Sequence, residues 1–161
     1  MMTGGDIDEP FAQTLQGDSD DHEPWDAVQS LRRIGTRQVL DKAVEWIESA
    51  DRLERARGLD VIAQRGKTAE HQSNGFPQEP YDAVVKAVRR ERELRPLNSA
   101  ISAPGHFDDS RAVPLIAAFH SHQSAEIRFT VASALGSFPN DPLSVRTLLT
   151  LMDDAGADVR D

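Results

Sequence analysis

The chain has no cysteine among its 161 residues, so disulfide bonds and thiolate metal sites are excluded. It also lacks a run of about 18 apolar residues, which a membrane-spanning helix would need. Its N-terminus has neither the basic start nor the apolar stretch of a secretory signal. We therefore expect a cytoplasmic protein that does not enter a membrane.

Basic residues are too few to form a strongly positive surface. The net charge is −9, and residues 1–24 contain seven acidic residues and no Lys or Arg. Residues 25–161 are nearly neutral, with 18 Lys and Arg against 20 Asp and Glu. Binding to nucleic acid usually needs a marked basic patch, so a nucleic-acid partner is not expected.

The N-terminal segment, residues 1–24, mixes Gly, Asp, Gln and Ser with few large apolar side chains. Such a segment buries too little surface to offset its ordering entropy, which predicts a disordered acidic tail over residues 1–24. Phe11 and Leu15 are spaced by one helical turn, so a short docking helix is the alternative.

The strongest pattern is a sequence repeat at a fixed offset of 32 residues. The segment Ala112–Arg128 returns as Ser144–Arg160, with Val113 matched by Val145 and Arg128 matched by Arg160. A fixed period of this length is typical of stacked repeat proteins.

Helical periodicity extends the pattern towards the N-terminus. Apolar residues at i, i+3 and i+4 predict helices from Trp25 onward, with Thr36 and Asp51 as N-caps, and no alternating strand pattern occurs. Residues 66–80 contain two glycines and two prolines and predict the one long internal break. The chain is therefore predicted to be all-α.

The repeated segment resembles a HEAT repeat, in which two antiparallel helices, A and B, stack into a superhelix. The residues that carry the resemblance are RAVPLIAAF…AEIRFTVASALGSF, with Pro114 on helix A fourteen residues before Arg128, and the ending Ala134-Leu135-Gly136. The chain is similar to bacterial proteins with PBS-lyase-type HEAT-like repeats over about residues 36–161. The resemblance implies a right-handed α–α superhelix, an armadillo-type solenoid of about 3.5 helix pairs over residues 25–161.

Two departures from the repeat pattern concern its last copy. Arg146 stands where a proline is expected, and the sequence stops at Arg160-Asp161, where the last helix B should begin. We expect the last repeat to be truncated. A repeat that lacks its neighbour leaves apolar residues uncovered, so self-association through residues 143–161 is a further hypothesis.

No catalytic set, cofactor motif or metal motif stands out. His106, His120 and His122 lack the spacing of a metal site and are expected to be solvated turn residues. Some HEAT-repeat hydroxylases bind iron through His-Glu pairs, but the only such pair here is His22-Glu23. Catalytic residues, cofactors and metals are therefore all predicted to be absent.

Chromophore lyases and one class of DNA glycosylases also use HEAT-like repeats. Trp25, Trp46 and Asp60 are conceivable site residues for such an enzyme, but the two tryptophans fit structural positions and the basic cleft is missing. A non-catalytic protein-interaction scaffold is the preferred prediction. The alternative is an accessory subunit of the chromophore-lyase type or a glycosylase-like HEAT enzyme.

Arg128 and Arg160 both lie near the start of predicted B helices. Because they recur at one repeat position, they are predicted to tie adjacent repeats together through carbonyl groups or an acidic neighbour.

The concave surface of such a solenoid is lined by its B helices and is the predicted site for an unidentified protein partner. On the helix that begins near Ala125, the residues opposite the apolar face are Phe129 and Ser133. Phe129 is either an exposed aromatic anchor or an ordinary surface residue packed on its neighbour helix. Transfer of the register to earlier repeats adds the other candidate residues, Asn98 and Ser102, then Arg57 and Asp60.

Overall fold

The computed structural model describes residues 7–17, 22–65, 78–107 and 109–161. Its regular elements in these ranges are all helical, as predicted. Two short 3₁₀ turns, Ala103–His106 and Ser110–Ala112, precede α7. The helices are α1 Asp8–Thr14, α2 His22–Ile34, α3 Arg37–Ile47, α4 Arg52–Arg65, α5 Gln78–Arg90, α6 Leu94–Ser102, α7 Val113–Ala117, α8 Ala125–Leu135, α9 Pro142–Leu151 and α10 Ala157–Arg160.

The helices stack in two rows. Helices α2, α4, α6, α8 and α10 pack one against the next and are called the B row here. Helices α1, α3, α5 and α7 each pack against the B-row helix that follows them in sequence. Single helix pairs cannot bury their apolar faces alone, so each pair is stabilised by its neighbours, and the chain forms a HEAT- or armadillo-like α-solenoid.

Side-chain caps fix several helix starts. The Thr36 hydroxyl accepts a hydrogen bond from the Val39 N–H at 3.4 Å. The Asp51 carboxylate accepts from the N–H groups of Leu53 and Glu54 at 2.7 and 3.1 Å. Both predicted N-caps are therefore confirmed. They satisfy N–H groups that have no partner within the first turn of a helix.

The N-terminal segment departs from its prediction. Residues 8–14 form α1, and Phe11 is fully buried with its ring 4.8 Å from that of Trp46 in an edge-to-face arrangement. Lys42 lies over the same ring at 5.3 Å and pairs with Asp8. The prediction of a disordered tail over residues 1–24 is therefore wrong for residues 7–17, where the alternative of a short docking helix applies, and for residues 22–24, which begin α2.

Residues 7–17 are ordered because of the helices they pack against and not because of their own composition. Helices α2 and α3 leave an apolar site into which the Phe11 ring fits. The free energy gained by burying this one ring offsets the entropy lost when one short helix becomes ordered. Asp8 and Glu9, which counted as signs of disorder, lie in the first turn of α1, where negative charge suits the helix dipole. The remaining tail residues, 1–6 and 18–21, lie outside the described residues.

The other predicted boundaries agree with the structure within a few residues. Within the predicted internal break, residues 66–77 lie outside the described residues, and α5 begins at Gln78. Helices α3 and α4 are in tight contact at Gly58, where an added Cβ would lie 2.6 Å from the Ala43 carbonyl oxygen. Only glycine fits this contact, and the contact sets the position of α4 in the B row.

Candidate functional site

Arginine residues at the start of B-row helices hold successive repeats together. The Arg128 guanidinium donates to both Asp154 carboxylate oxygens, at 2.7 and 3.0 Å. It also donates to the carbonyl oxygens of His122 and Gln123, at 2.8 and 3.1 Å. Asp154 accepts a further hydrogen bond from the Gly156 N–H at 2.7 Å. The hydrogen bonds from Arg128 and Gly156 lower the pKa of Asp154.

The same arrangement recurs at Arg160. Its Nη1 donates to the carbonyl oxygens of Asp154 and Ala155, at 2.7 and 3.3 Å. Both arginines therefore reach the carbonyls six and five residues earlier in the chain. Arg128 thereby ties its repeat to the next one through Asp154, as predicted, whereas Arg160 donates to the turn between α9 and α10 within its own repeat.

A third copy of this contact, at Arg55, was not predicted. Arg55 donates to the carbonyls of Ser49 and Ala50 at 3.2 and 2.9 Å, and to Glu91 at 2.8 Å. Burial by itself raises the pKa of Glu91, but hydrogen bonds from Arg55 and from the N–H groups of Glu93 and Arg92 outweigh it, so the pKa is lowered. The signal is hidden in the sequence, because the segment 66–77 makes this repeat longer than the later copies.

The B row also forms a groove with side chains from four of its helices. The groove has a volume of about 260 Å³. It brings together five of the six predicted contact residues, namely Asp60, Asn98, Ser102, Phe129 and Ser133. We call it the B-row groove, and its lining residues are Trp25, Asp60, Arg95, Asn98, Ser99, Ser102, Phe129, Thr130 and Ser133.

Arg57 is the exception among the predicted contact residues. Its side chain is only 1% exposed, and its Nε donates to the Thr14 carbonyl oxygen at 2.7 Å. Helical register alone placed it beside Asp60 on the surface, but the end of α1 covers it. The assignment of Arg57 as a partner-contact residue is therefore corrected: its Nη1 donates to Asp60 at 3.3 Å and supports the groove from beneath. Burial lowers the pKa of Arg57, and the Asp60 carboxylate opposes that shift.

The floor of the groove has more hydrogen-bond donors than acceptors. Arg57 and Arg95 both donate to the same Asp60 oxygen, Oδ2, at 3.3 and 3.4 Å. Within the described residues, three buried atoms at or below this floor have no hydrogen-bond partner, namely Arg57 Nη2, Arg95 Nε and Ser99 Oγ. Ser99 is 3% exposed. Two of the three atoms can only donate, so the site lacks acceptor oxygens.

Asn98 spans the step from α6 to α8. Its Nδ2 donates to Glu126 at 3.1 Å, and its Oδ1 accepts from the Thr130 hydroxyl. The amide is therefore already engaged within the protein, although it lines the groove. Its role is to fix the spacing of α6 and α8.

Two aromatic side chains from different helices also line the groove. Trp25 on α2 is 42% exposed and Phe129 on α8 is 49% exposed. Phe129 is thus an exposed aromatic residue, one of the two alternatives considered from the sequence. It also lines a second hollow of about 530 Å³ between α8 and α10, beside Ala125 and Val159.

Three groove residues were missed as candidates, namely Arg95, Ser99 and Thr130, and Trp25 was considered only for the enzyme alternative. Three polar residues of α6, Arg95, Ser99 and Ser102, recur at i, i+4 and i+7 and lie on one face of the helix. This polar stripe was the available signal.

Neither a metal cluster nor a membrane-spanning helix is found in the described ranges. No group of three or more His, Cys, Asp and Glu residues there is placed to hold a metal ion. His120 Nδ1 lies 3.0 Å from the Ala117 carbonyl oxygen, and His122 Nδ1 accepts from the Ser124 N–H at 3.1 Å. The helices in the same ranges are too short or too polar to cross a bilayer.

No protein-family model and no curated protein matches the sequence. Solved structures do match it. One is from the complex of CpcE and CpcF of phycocyanin lyase from Nostoc sp. PCC7120, with a TM-score of 0.60 and 16% identity, over 98% of this chain and 62% of that chain. This chain thus spans less than two thirds of that lyase chain.

Two further matches are engineered molecules. A designed armadillo repeat protein in complex with the peptide (KR)4 gives a TM-score of 0.55 and 15% identity, over 94% of this chain and 76% of that chain. An engineered protein gives a TM-score of 0.53 and 14% identity, over 99% and 76%. These likenesses show a HEAT- or armadillo-like repeat fold.

Proposed function

We propose that this HEAT-like repeat chain is a non-catalytic scaffold that binds a segment of a partner protein in the B-row groove. The observation that carries the proposal is the groove itself, in which two exposed aromatics accompany a charged centre. Buried aromatic anchors supply much of the energy at protein interfaces. Protein partners are also a feature of the matched structures, since one holds a peptide and another is a two-protein complex.

The lining of the groove supports binding rather than acid–base catalysis. Among the described residues that line it, Asp60 is the one carboxylate, and there is no histidine or cysteine. Both guanidinium groups nearest to Asp60 already donate to its Oδ2. A nucleophile paired with a general base, the usual requirement for covalent catalysis, is not found among these lining residues.

Selection of peptides by display on the purified chain tests the scaffold proposal. We expect enriched peptides whose binding is lost in the Phe129→Ala variant. The matched control is Leu94→Ala, which removes an equally exposed apolar side chain of α6 that does not line the groove. If no peptide is enriched, or if both variants bind equally well, the groove is not the partner site.

The likeness to phycocyanin lyase favours one alternative function. An accessory subunit of that type would act in a complex with a second protein, as CpcE and CpcF of phycocyanin lyase form a complex. Chromophore attachment in the presence of this chain, and its loss in the Phe129→Ala variant, would favour this alternative. No observation favours a glycosylase, because Arg95 is the only cationic residue among the described residues that line the groove.

Self-association through residues 143–161 stays a separate proposal. Val145, Leu149 and Met152 on or beside α9 are exposed at i, i+4 and i+7 and form one apolar stripe. Light scattering at high protein concentration tests it, and a monomer under those conditions would eliminate it.

A further inference from the structure

The charged centre of the B-row groove has fewer acceptor oxygens than the donors around it require. Arg57 and Arg95 share one oxygen of Asp60, at distances that lie beyond the usual range of about 2.7–3.2 Å for N–H···O hydrogen bonds. Arg95 Nε and Ser99 Oγ have no partner among the described residues although both atoms are buried. Buried donors without partners destabilise a fold, so this centre is suited to a ligand that supplies oxygen atoms.

We propose that the B-row groove binds an extended partner segment through an acidic side chain, Asp or Glu, which meets Arg95 and Ser99. Apolar side chains on either side of that residue would pack on Trp25 and Phe129. The inference rests on the scaffold function proposed above and specifies the chemistry of the segment.

The local charge agrees with an acidic ligand. The floor contains two guanidinium groups and one carboxylate, so it has a net charge of +1. Outside this floor, Glu126 accepts from the Asn98 amide, and Glu126, Asp158 and Asp161 line the neighbouring hollow that shares Phe129 with the groove. The chain as a whole is acidic, at −9, but physiological salt screens exposed charges beyond about 8 Å. The preference for an acidic ligand therefore rests on the two guanidinium groups that meet Asp60 and on the unpartnered donors beside them, and not on the wider charge of the surface.

Accessibility singles out Arg95 as the contact residue. Its side chain is 30% exposed, whereas that of Arg57 is 1% exposed. Arg95 is therefore able to turn towards a bound carboxylate while Arg57 continues to hold Asp60. Ser99 lies one helical turn further along α6, on the same face, and lines the groove although it is only 3% exposed. Its hydroxyl becomes available to the same ligand oxygen when Arg95 turns.

The size of the groove favours a peptide over an enclosed cofactor. Its volume of about 260 Å³ lies just below the range of about 300–1,000 Å³ that is usual for small-molecule pockets. It has room for one or two side chains. The sign of the charge also separates it from the matched armadillo repeat structure, whose peptide is the cationic (KR)4.

The test uses three end-blocked peptides that differ only in their central residue, which is Glu, Gln or Lys between apolar residues. Each is titrated into the full chain by calorimetry. We expect the Glu peptide to bind about tenfold more tightly than the Gln peptide, as one charge-assisted contact predicts. The Lys peptide should bind most weakly. Equal affinities, a preference for Lys or no binding of the Glu peptide would overturn the proposal.

Three variants test which residues cause the preference for the Glu peptide over the Gln peptide. Arg95→Gln should abolish the Glu-over-Gln difference, while Arg146→Gln on the exposed side of α9 should retain it. Ser99→Ala should reduce the difference about threefold and provides a second test if Arg95→Gln does not fold. A preference that survives in both Arg95→Gln and Ser99→Ala, or that is lost in Arg146→Gln, would contradict the assigned contacts.

The two proposals fail in different ways. If a Gln or Lys peptide binds and both Phe129→Ala and Trp25→Ala remove that binding, the groove is a peptide site and only the acidic specificity is wrong, since Trp25 lines the groove but not the hollow between α8 and α10. If display on the chain enriches no peptide at all, the scaffold function itself is wrong.

Discussion

The buried Arg57 guanidinium donates to the Thr14 carbonyl oxygen at 2.7 Å, and through a second nitrogen it donates to Asp60. The C-terminal end of α1 is thereby joined to the floor of the B-row groove. A segment that composition assigns to a disordered tail thus supports the centre of the candidate site. Stability and binding should be coupled through this one side chain.

Replacing Arg57 by Leu should destabilise the fold by about 2–3 kcal/mol. The change leaves the Thr14 carbonyl without its donor and removes one of two cations beside Asp60, and buried polar groups without partners cost about this much. Urea unfolding followed by circular dichroism measures the effect. Arg52→Leu is the control, since Arg52 is exposed on the same helix. Equal stability of the two variants would show that the Arg57 contacts contribute nothing.

Replacing Phe11 by Ala should cost about 3 kcal/mol, because fully buried Phe residues lose both their transfer free energy and their packing. The fluorescence of Trp46, which the Phe11 ring contacts, should shift to longer wavelength as water reaches the indole. The exposed neighbour Gln16 provides the control variant Gln16→Ala. An unchanged unfolding midpoint and emission spectrum for Phe11→Ala would mean that α1 is not docked in solution.

Acid should weaken the contacts between repeats. The pKa values of Glu91 and Asp154 are lowered in the fold, so the unfolded chain binds more protons near their ordinary values of about 4.3 and 3.9. By linkage, the stability that they contribute is complete above about pH 5 and is lost as the pH falls through the folded-state values.

Variants test the assignment of this acid sensitivity. Glu91→Gln and Asp154→Asn should be less stable than the parent at pH 7 and should lose less stability between pH 5 and pH 3. Glu45→Gln changes an exposed carboxyl group of α3 and is the control. Parallel pH profiles for parent and variants would show that other groups control acid unfolding.

Replacing Gly58 by Ala should destabilise the fold by about 1–3 kcal/mol, as overpacking of a tight contact does. The added methyl group would lie 2.6 Å from the Ala43 carbonyl oxygen and 3.1 Å from the Ile47 nitrogen. These atoms belong to the backbone of α3, which is not free to move aside as a side chain is. Gly136→Ala is the matched change, because its nearest atom lies at 3.3 Å. A larger loss of thermal stability in Gly136→Ala than in Gly58→Ala would contradict the packing described for α3 and α4.

The parts of the fold that repeat in sequence were predictable. The repetition of Ala112–Arg128 in Ser144–Arg160 located α7 to α10, and it gave Arg128 and Arg160 their role because both recur at one position. Register transfer also placed Asn98 beside Phe129 in one groove. Repetition makes such inferences possible, since each repeat must meet its neighbour in the same way.

The other features of the fold and of the site depend on contacts between distant parts of the chain, which local sequence patterns do not reveal. Phe11 is a single aromatic in an acidic segment, and only the open faces of α2 and α3 explain its burial. Arg57 was placed on the surface by helical register, since nothing in the sequence indicated that α1 would cover it. The contact between Arg55 and Glu91 was not predicted, because an insertion in the segment between them hides the repeat spacing.

The most direct test of the scaffold account is a calorimetric titration of one display-selected peptide against the parent chain and the Phe129→Ala variant, both checked for equal thermal stability. Phe129 is half exposed and lines the groove, so its loss should leave the fold intact. The account predicts at least a tenfold weaker affinity for the variant, because truncation of an aromatic anchor costs roughly 2 kcal/mol or more. An unchanged affinity would contradict the assignment of the B-row groove as the partner site.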